Sequence, residues 1–172
     1  MEAARHLYLL RHAKSDWENT VADRERPLAP RGKRAAAALA RHIERAGISP
    51  ALVLCSPARR TMDTLRLITS AFRDPVEILV EEELYGAGSG EMLRRLRKVP
   101  PATPSVMVVG HNPAIQELAI TLARSVDDLN RLKGKYPTAA LASLAVPGQW
   151  KDLGGQPAQL LEFAVPREMA ED

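Results

Sequence analysis

The stretch His6-Leu7-Tyr8-Leu9-Leu10-Arg11-His12-Ala13 decides the fold and most of the chemistry of this chain. Its apolar run, free of glycine and proline, predicts a first strand over His6–Leu10. The strand runs straight into a guanidinium beside an imidazole. An imidazole at a strand exit can act as base, metal ligand or nucleophile. The planar fork of Arg11 matches the oxyanion geometry of a phosphate or carboxylate.

Outward from that strand, short apolar runs alternate with helical patterns. A helix is predicted over Ala35–Ala46, with Ala36, Leu39, Ala40 and Ile43 on one face and Gly47 as its C-terminal cap. Strands are predicted over Ala51–Cys55, Val76–Val80 and Ser105–Val109. Ser56-Pro57 and Asn112-Pro113 each read as an N-cap followed by a first-turn proline. They would open helices running to about Ser70 and Ala123. Glu91–Lys98 reads as a short helix, and Ala139–Val146 with Gln159–Ala164 as a closing pair of strands. The order implies a single α/β domain over residues 1–172, a three-layer α/β/α sandwich with a mostly parallel sheet and helices on both faces. Asp16–Arg31 is the longest irregular segment, and such loops are often functional.

Composition narrows the function classes. The 172 residues are 45% hydrophobic and 26% charged, which is globular composition. A formal charge of +3 and only 4% aromatic residues argue against nucleic acid as a partner. The charge is uneven: residues 1–66 hold 13 Lys/Arg against 7 Asp/Glu, a local net of +6. No apolar run is long enough for a membrane span, and Met1–Arg5 lacks the pattern of a leader peptide. The single cysteine, Cys55, fits a reducing compartment. These features together read as a cytoplasmic protein with no membrane partner.

Ligands of open α/β sheets bind beyond the carboxyl ends of the strands. Three such ends carry suitable groups: Arg11-His12, Ser56 through Arg60, and Gly110-His111-Asn112-Pro113. His6, His12, His42 and His111 have no metal-ligand spacing, so no metal or other cofactor is expected. Cys55 and Arg60 are spaced C-x4-R, not the C-x5-R of cysteine phosphatases, so Cys55 reads as a buried strand residue. His12 is then the leading nucleophile, able to form a phosphohistidine intermediate. Arg11, Arg60 and His111 would stabilise the phosphoryl oxygens.

These motifs resemble the histidine phosphatase (phosphoglycerate-mutase-like) superfamily, and within it the SixA-type phosphohistidine phosphatases. The matching pieces are Leu9 through Asp16, Arg26-Pro27-Leu28, Ser56-Pro57-Ala58-Arg59-Arg60-Thr61 with Thr64, Leu84-Tyr85, Val109 through Pro113, Tyr136 through Ala140, and Phe163 through Arg167. The resemblance implies that His12 is the phosphorylated nucleophile. It implies that Arg11 and Arg60 bind phosphate, that His111 is the second pocket histidine, and that Arg26 is an additional arginine of the SixA-like site. Ser56 and Asn112 are further candidates for phosphate or substrate binding.

Mutases and acid phosphatases of the superfamily use a carboxylic acid to protonate the leaving oxygen. Glu82 and Glu83 lie near the expected region without the mutase motif, and stand as candidates for that acid. A phosphoramidate nitrogen leaves more readily than an alkoxide, so a SixA-like site has less need of one. The expected activity is metal-independent hydrolysis of phosphohistidine on a protein phosphotransfer domain. Alternatives are a phosphatase of small phosphorylated substrates, and a phosphate-sensing or phosphoprotein-binding module without turnover. Arginines near His12 should keep it neutral, with activity falling below about pH 6. His42 and Arg59 read as solvent-facing, and Lys133 and Lys135 as a solvated loop.

Overall fold

The computed structural model describes residues 4–18 and 20–169. Met1–Ala3, part of the stretch read for a leader, lie outside the described residues. Strand β1 (Arg5–Arg11) is central, parallel to β4 (Ser105–Gly110) and antiparallel to β5 (Leu141–Val146). Strand β2 (Leu52–Cys55) runs parallel to β4 and to the edge strand β3 (Glu77–Val80). Strand β6 (Gln159–Ala164) closes the other edge, antiparallel to β5. The sheet order is β3-β2-β4-β1-β5-β6.

The two-residue alternation of a strand divides the core. Leu7, Leu9 and Leu54 face one side, where they pack with Met92 and Leu96 of α3 (Ser89–Leu96), Ile115, Leu118 and Leu122 of α4 (Ala114–Ala123), and Leu132 of α5 (Val126–Leu132). Leu10, Val53 and Met107 face the other, against Leu39 and Ile43 of α1 (Pro30–Ala46) and Leu65 and Ile68 of α2 (Arg59–Ile68). A short helix α6 (Pro166–Met169) packs near α1. The result is the three-layer α/β/α arrangement, with four strands mutually parallel and an antiparallel closing pair.

Several helix starts differ from the sequence reading. Helix α1 begins at Pro30, whose fixed φ suits a first helical position, five residues before the expected start at Ala35. It ends at Gly47, which takes φ 68° and donates its N–H to the carbonyls of Ile43 and Glu44. Helix α2 begins only at Arg59, with Ala58 at the cap, so Ser56 is not its N-cap. Helix α4 begins at Ala114, and Asn112 Oδ1 accepts from the Gln116 N–H at 3.2 Å. The sequence reading omitted α5, a seven-residue helix that Ser125 caps by accepting from the Asp128 N–H at 3.1 Å.

One close approach fixes the entry to the site. The Ala29 N–H donates to the Lys14 carbonyl at 2.9 Å. A Cβ on Gly32 would fall 2.1 Å from that same carbonyl oxygen, so only glycine lets α1 lie this close to the chain after His12. His42, expected to face solvent, is largely covered, with Nε2 2.7 Å from a Glu162 carboxylate oxygen on β6. Arg59 is exposed, as read.

Candidate active site

Register brings three strand ends into line. Arg11 is opposite Gly110 and Cys55 opposite Val109, so His12, Ser56 and His111 leave neighbouring parallel strands side by side. The His12 N–H donates to the Gly110 carbonyl at 3.1 Å. His12 Nδ1 lies 2.7 Å from the Ala13 carbonyl oxygen. A carbonyl only accepts, so Nδ1 carries the proton and Nε2 carries the lone pair. The ring is only 8% exposed. Burial, then the charges of His111, Arg60 and Arg11, lower its pKa to about 3, against an opposing hydrogen bond to Ala13.

The loop after His12 is tied to α2. The Ala13 N–H donates to Thr64 Oγ1 at 2.9 Å, and the Thr64 hydroxyl donates to the Arg60 carbonyl at 2.7 Å. The positions of His12 and Arg60 are therefore coupled through one buried hydroxyl.

Three arginines surround this point. Arg11 donates through Nη1 to the Tyr136 carbonyl at 2.9 Å. Arg60 donates to the Asp23 carbonyl at 2.9 Å and to Asp23 Oδ2 at 3.2 Å. Arg26 donates to Asp23 Oδ1 at 2.8 Å and to the Ser15 hydroxyl, and its guanidinium lies 3.6 Å from the Trp17 ring centre. Each of the three keeps a buried Nε–H with no protein acceptor. Buried N–H donors are rarely left unpaired, and guanidiniums in this state suit an oxyanion.

Asp23 is the carboxylate of the site, and the sequence reading did not single it out. It bridges Arg26 and Arg60 and accepts from the Tyr85 hydroxyl at 2.5 Å. The Tyr85 hydrogen bond, then Arg26, hold its carboxyl well below the usual carboxylate range. Tyr85 is pushed up in turn, chiefly by that same bond. Ionised Asp23 is a counter-charge to the arginines, not a stored proton.

His111 completes the pocket. Its ring centre is 5.3 Å from that of His12, and Tyr85 meets it edge-on at 5.9 Å. Arg60 Nη2, a donor only, lies 3.4 Å from His111 Nδ1, so the ring proton is on Nε2, which donates to Ser56 Oγ at 2.8 Å. Burial, then Arg60, lower the His111 pKa to about 4. Ser56 is fully buried beneath the ring. In this position its hydroxyl is taken up in holding the His111 ring. The Asn112 side chain is taken up in bracing the start of α4, accepting from the Gln116 N–H, and in donating to the Tyr136 carbonyl at 3.3 Å.

Of the two candidate acids, Glu82 is exposed and ion-paired with Arg24, which lowers its pKa. Glu83 lines a separate groove with Glu91, Arg94 and Arg95. Neither is hydrogen-bonded to the arginines or histidines above. Among the described residues, no three His, Cys, Asp or Glu side chains gather where a metal ion could sit. Cys55 is buried in β2 and its thiol is pushed up to about 12 by burial, which makes it a poor nucleophile.

The sequence profile of the histidine phosphatase superfamily, branch 1, matches residues 7–96. The chain belongs to that superfamily. An uncharacterized protein of Mycobacterium tuberculosis is 39% identical over 165 residues, covering 92% of this chain and 100% of its own. A structure assigned as the phosphohistidine phosphatase SixA of Nakamurella multipartitia superposes with TM-score 0.84 at 30% identity, covering 96% of this chain and 98% of that one. The Agrobacterium tumefaciens protein so assigned gives TM-score 0.83 at 28% identity, over 96% and 100%. This histidine phosphatase is thus of the SixA type in fold.

The pH expectation also shifts. Burial lowers both histidines further than neighbouring arginines alone would suggest. The expected acid limb for these two rings moves to about pH 4, below the roughly pH 6 expected from the arginines alone.

Proposed function

We propose that this histidine phosphatase hydrolyses phosphohistidine on a protein, through a phospho-His12 intermediate. The observation that carries the reading is a neutral His12 with Nδ1 tied to the Ala13 carbonyl, next to Arg11, Arg60 and His111. In the first step His12 Nε2 attacks phosphorus. The P–N bond to the substrate imidazole breaks, and that imidazole takes its proton from water. In the second step water attacks phospho-His12, releasing inorganic phosphate and regenerating the ring. One water is consumed overall. Arg11, Arg26, Arg60 and His111 offset the charge on the equatorial oxygens in both steps, where loss of one such donor costs about 10²–10³ in rate.

Phosphohistidine is favoured over an alkyl ester because of the state of the carboxyls. Asp23 is pinned by two guanidiniums and Tyr85, and Glu82 by Arg24. A leaving alkoxide would need a proton that neither supplies, whereas the second ring nitrogen of phosphohistidine takes a proton from water and the group leaves as neutral imidazole. The test compares two peptides of one sequence, phosphorylated on histidine or on serine. Wild type should clear the phosphohistidine peptide much faster, and His12→Ala should clear neither. Faster turnover of the phosphoserine peptide, abolished by Glu82→Gln or Glu83→Gln, would favour the phosphoester reading. Binding of phosphopeptide without any turnover would favour the sensing module.

A further inference from the structure

A second basic cluster lies beside the nucleophile and has no part in the chemistry above. Lys14, Arg31, Lys135 and Arg167 line an open groove of about 460 Å³, with Pro137 and Val165 among its apolar walls. The groove is built from segments that hold the catalytic strand end. Lys14 follows His12 by two residues, which places their Cα atoms within about 7 Å. Arg31 sits in the first turn of α1, which Gly32 seats against the Lys14 backbone. Lys135 and Pro137 flank Tyr136, whose carbonyl holds Arg11, and the Ala139 N–H donates to the carbonyls of Arg11 and His12 at 3.0 Å.

Several arginines elsewhere have carboxylate partners: Arg24 with Glu82, Arg66 with Asp63, Arg95 with Glu81. In the groove no carboxylate is present among the described lining residues, and none of the four cations has a described ion-pair partner. Like charges concentrated in one cleft focus a positive field that attracts an anionic ligand. All four head groups are exposed and spread over four chain segments. They do not converge in a buried cradle as one compact phosphate would require. That spread suits several carboxylates on a polypeptide surface.

We propose that this groove docks an acidic face of the phosphohistidine-bearing protein, so that the charge of the partner selects it for His12. The inference rests on the phosphohistidine-protein reading, and its test separates the two. Two synthetic peptides carry the same central phosphohistidine, flanked by glutamates in one and by glutamines in the other. Wild type should show about tenfold higher kcat/KM on the Glu peptide. The preference should fade with added salt and vanish in Arg31→Glu/Lys135→Glu, while the rate on the Gln peptide stays unchanged. The unphosphorylated Glu peptide, titrated by calorimetry, should bind wild type and not the double variant. That arm does not depend on hydrolysis. If it holds while neither phosphopeptide is cleaved, the groove stands and the phosphohistidine reading falls. Equal rates on both peptides, or a preference untouched by the double variant, overturn the docking proposal. Binding of inorganic tripolyphosphate that depends on Arg31 and Lys135, with no binding of the Glu peptide, overturns it in favour of a compact polyanion.

Discussion

Lowering the pH from 7 to 4.5 should destabilise this protein through two histidines of the site. In the fold His12 is lowered to about 3 and His111 to about 4, mainly because both rings are buried. In the unfolded chain both return to about 6.5. Below 6.5 the unfolded state therefore binds more protons than the native state, and stability falls as pH falls. Above 6.5 neither state is protonated and these groups contribute no slope. Between 6.5 and 4.5 each histidine costs up to about 1.4 kcal/mol per pH unit, so the pair costs up to about 2.7. Over that window the loss approaches 5 kcal/mol, a large share of the roughly 5–15 kcal/mol that holds a domain together. The depressed carboxyls do not confuse this window. Asp23 and Glu82 lose their stabilising charge only below their ordinary values of 3.8 and 4.5. Guanidinium unfolding at a series of pH values and constant ionic strength measures the slope. His12→Gln should remove about half of it. An unchanged slope in His12→Gln, or a His12 ring signal titrating near 6.5 by NMR, would refute the burial argument.

Other substitutions test separate links. Asp23→Asn removes the counter-charge shared by Arg26 and Arg60, so inorganic phosphate should inhibit more strongly, by about tenfold at most; weaker inhibition would mean that Asp23 helps to form the anion site instead. Ser56→Ala leaves the His111 Nε2–H without its buried acceptor, which should cost about 1–3 kcal/mol of stability and lower kcat more than it raises KM. Gly32→Ala forces α1 away from the Lys14 carbonyl and should cost about 1–3 kcal/mol or more, with lower activity because the chain after His12 shifts. An undisturbed melting curve would contradict that packing.

The parts of this molecule that the sequence reveals are those where chemistry and local pattern coincide. His12, Ser56 and His111 each follow an apolar strand, so the parallel topology alone puts them together. Asp23 escapes because it lies in the long loop before α1, and only the folding of that loop lays its carboxylate across Arg26 and Arg60. Ser56 illustrates a different ambiguity. Serine before proline is a common helix start, but its hydroxyl here accepts from His111, and α2 starts three residues later. Helix α5 is too short and too acidic at Asp127 and Asp128 to show a clear apolar stripe. Lys135 read as one more solvated lysine, since its neighbours Lys14, Arg31 and Arg167 are distant in sequence.

The central claim is that His12 carries the phosphoryl group. Wild-type protein mixed with a ³²P-phosphohistidine peptide and quenched with alkali within the first turnover should contain label that is stable to base and labile to acid. Mapping should place that label on His12, and His12→Ala should show neither label nor turnover. Turnover that persists in His12→Ala, or label on any other residue, would contradict the account.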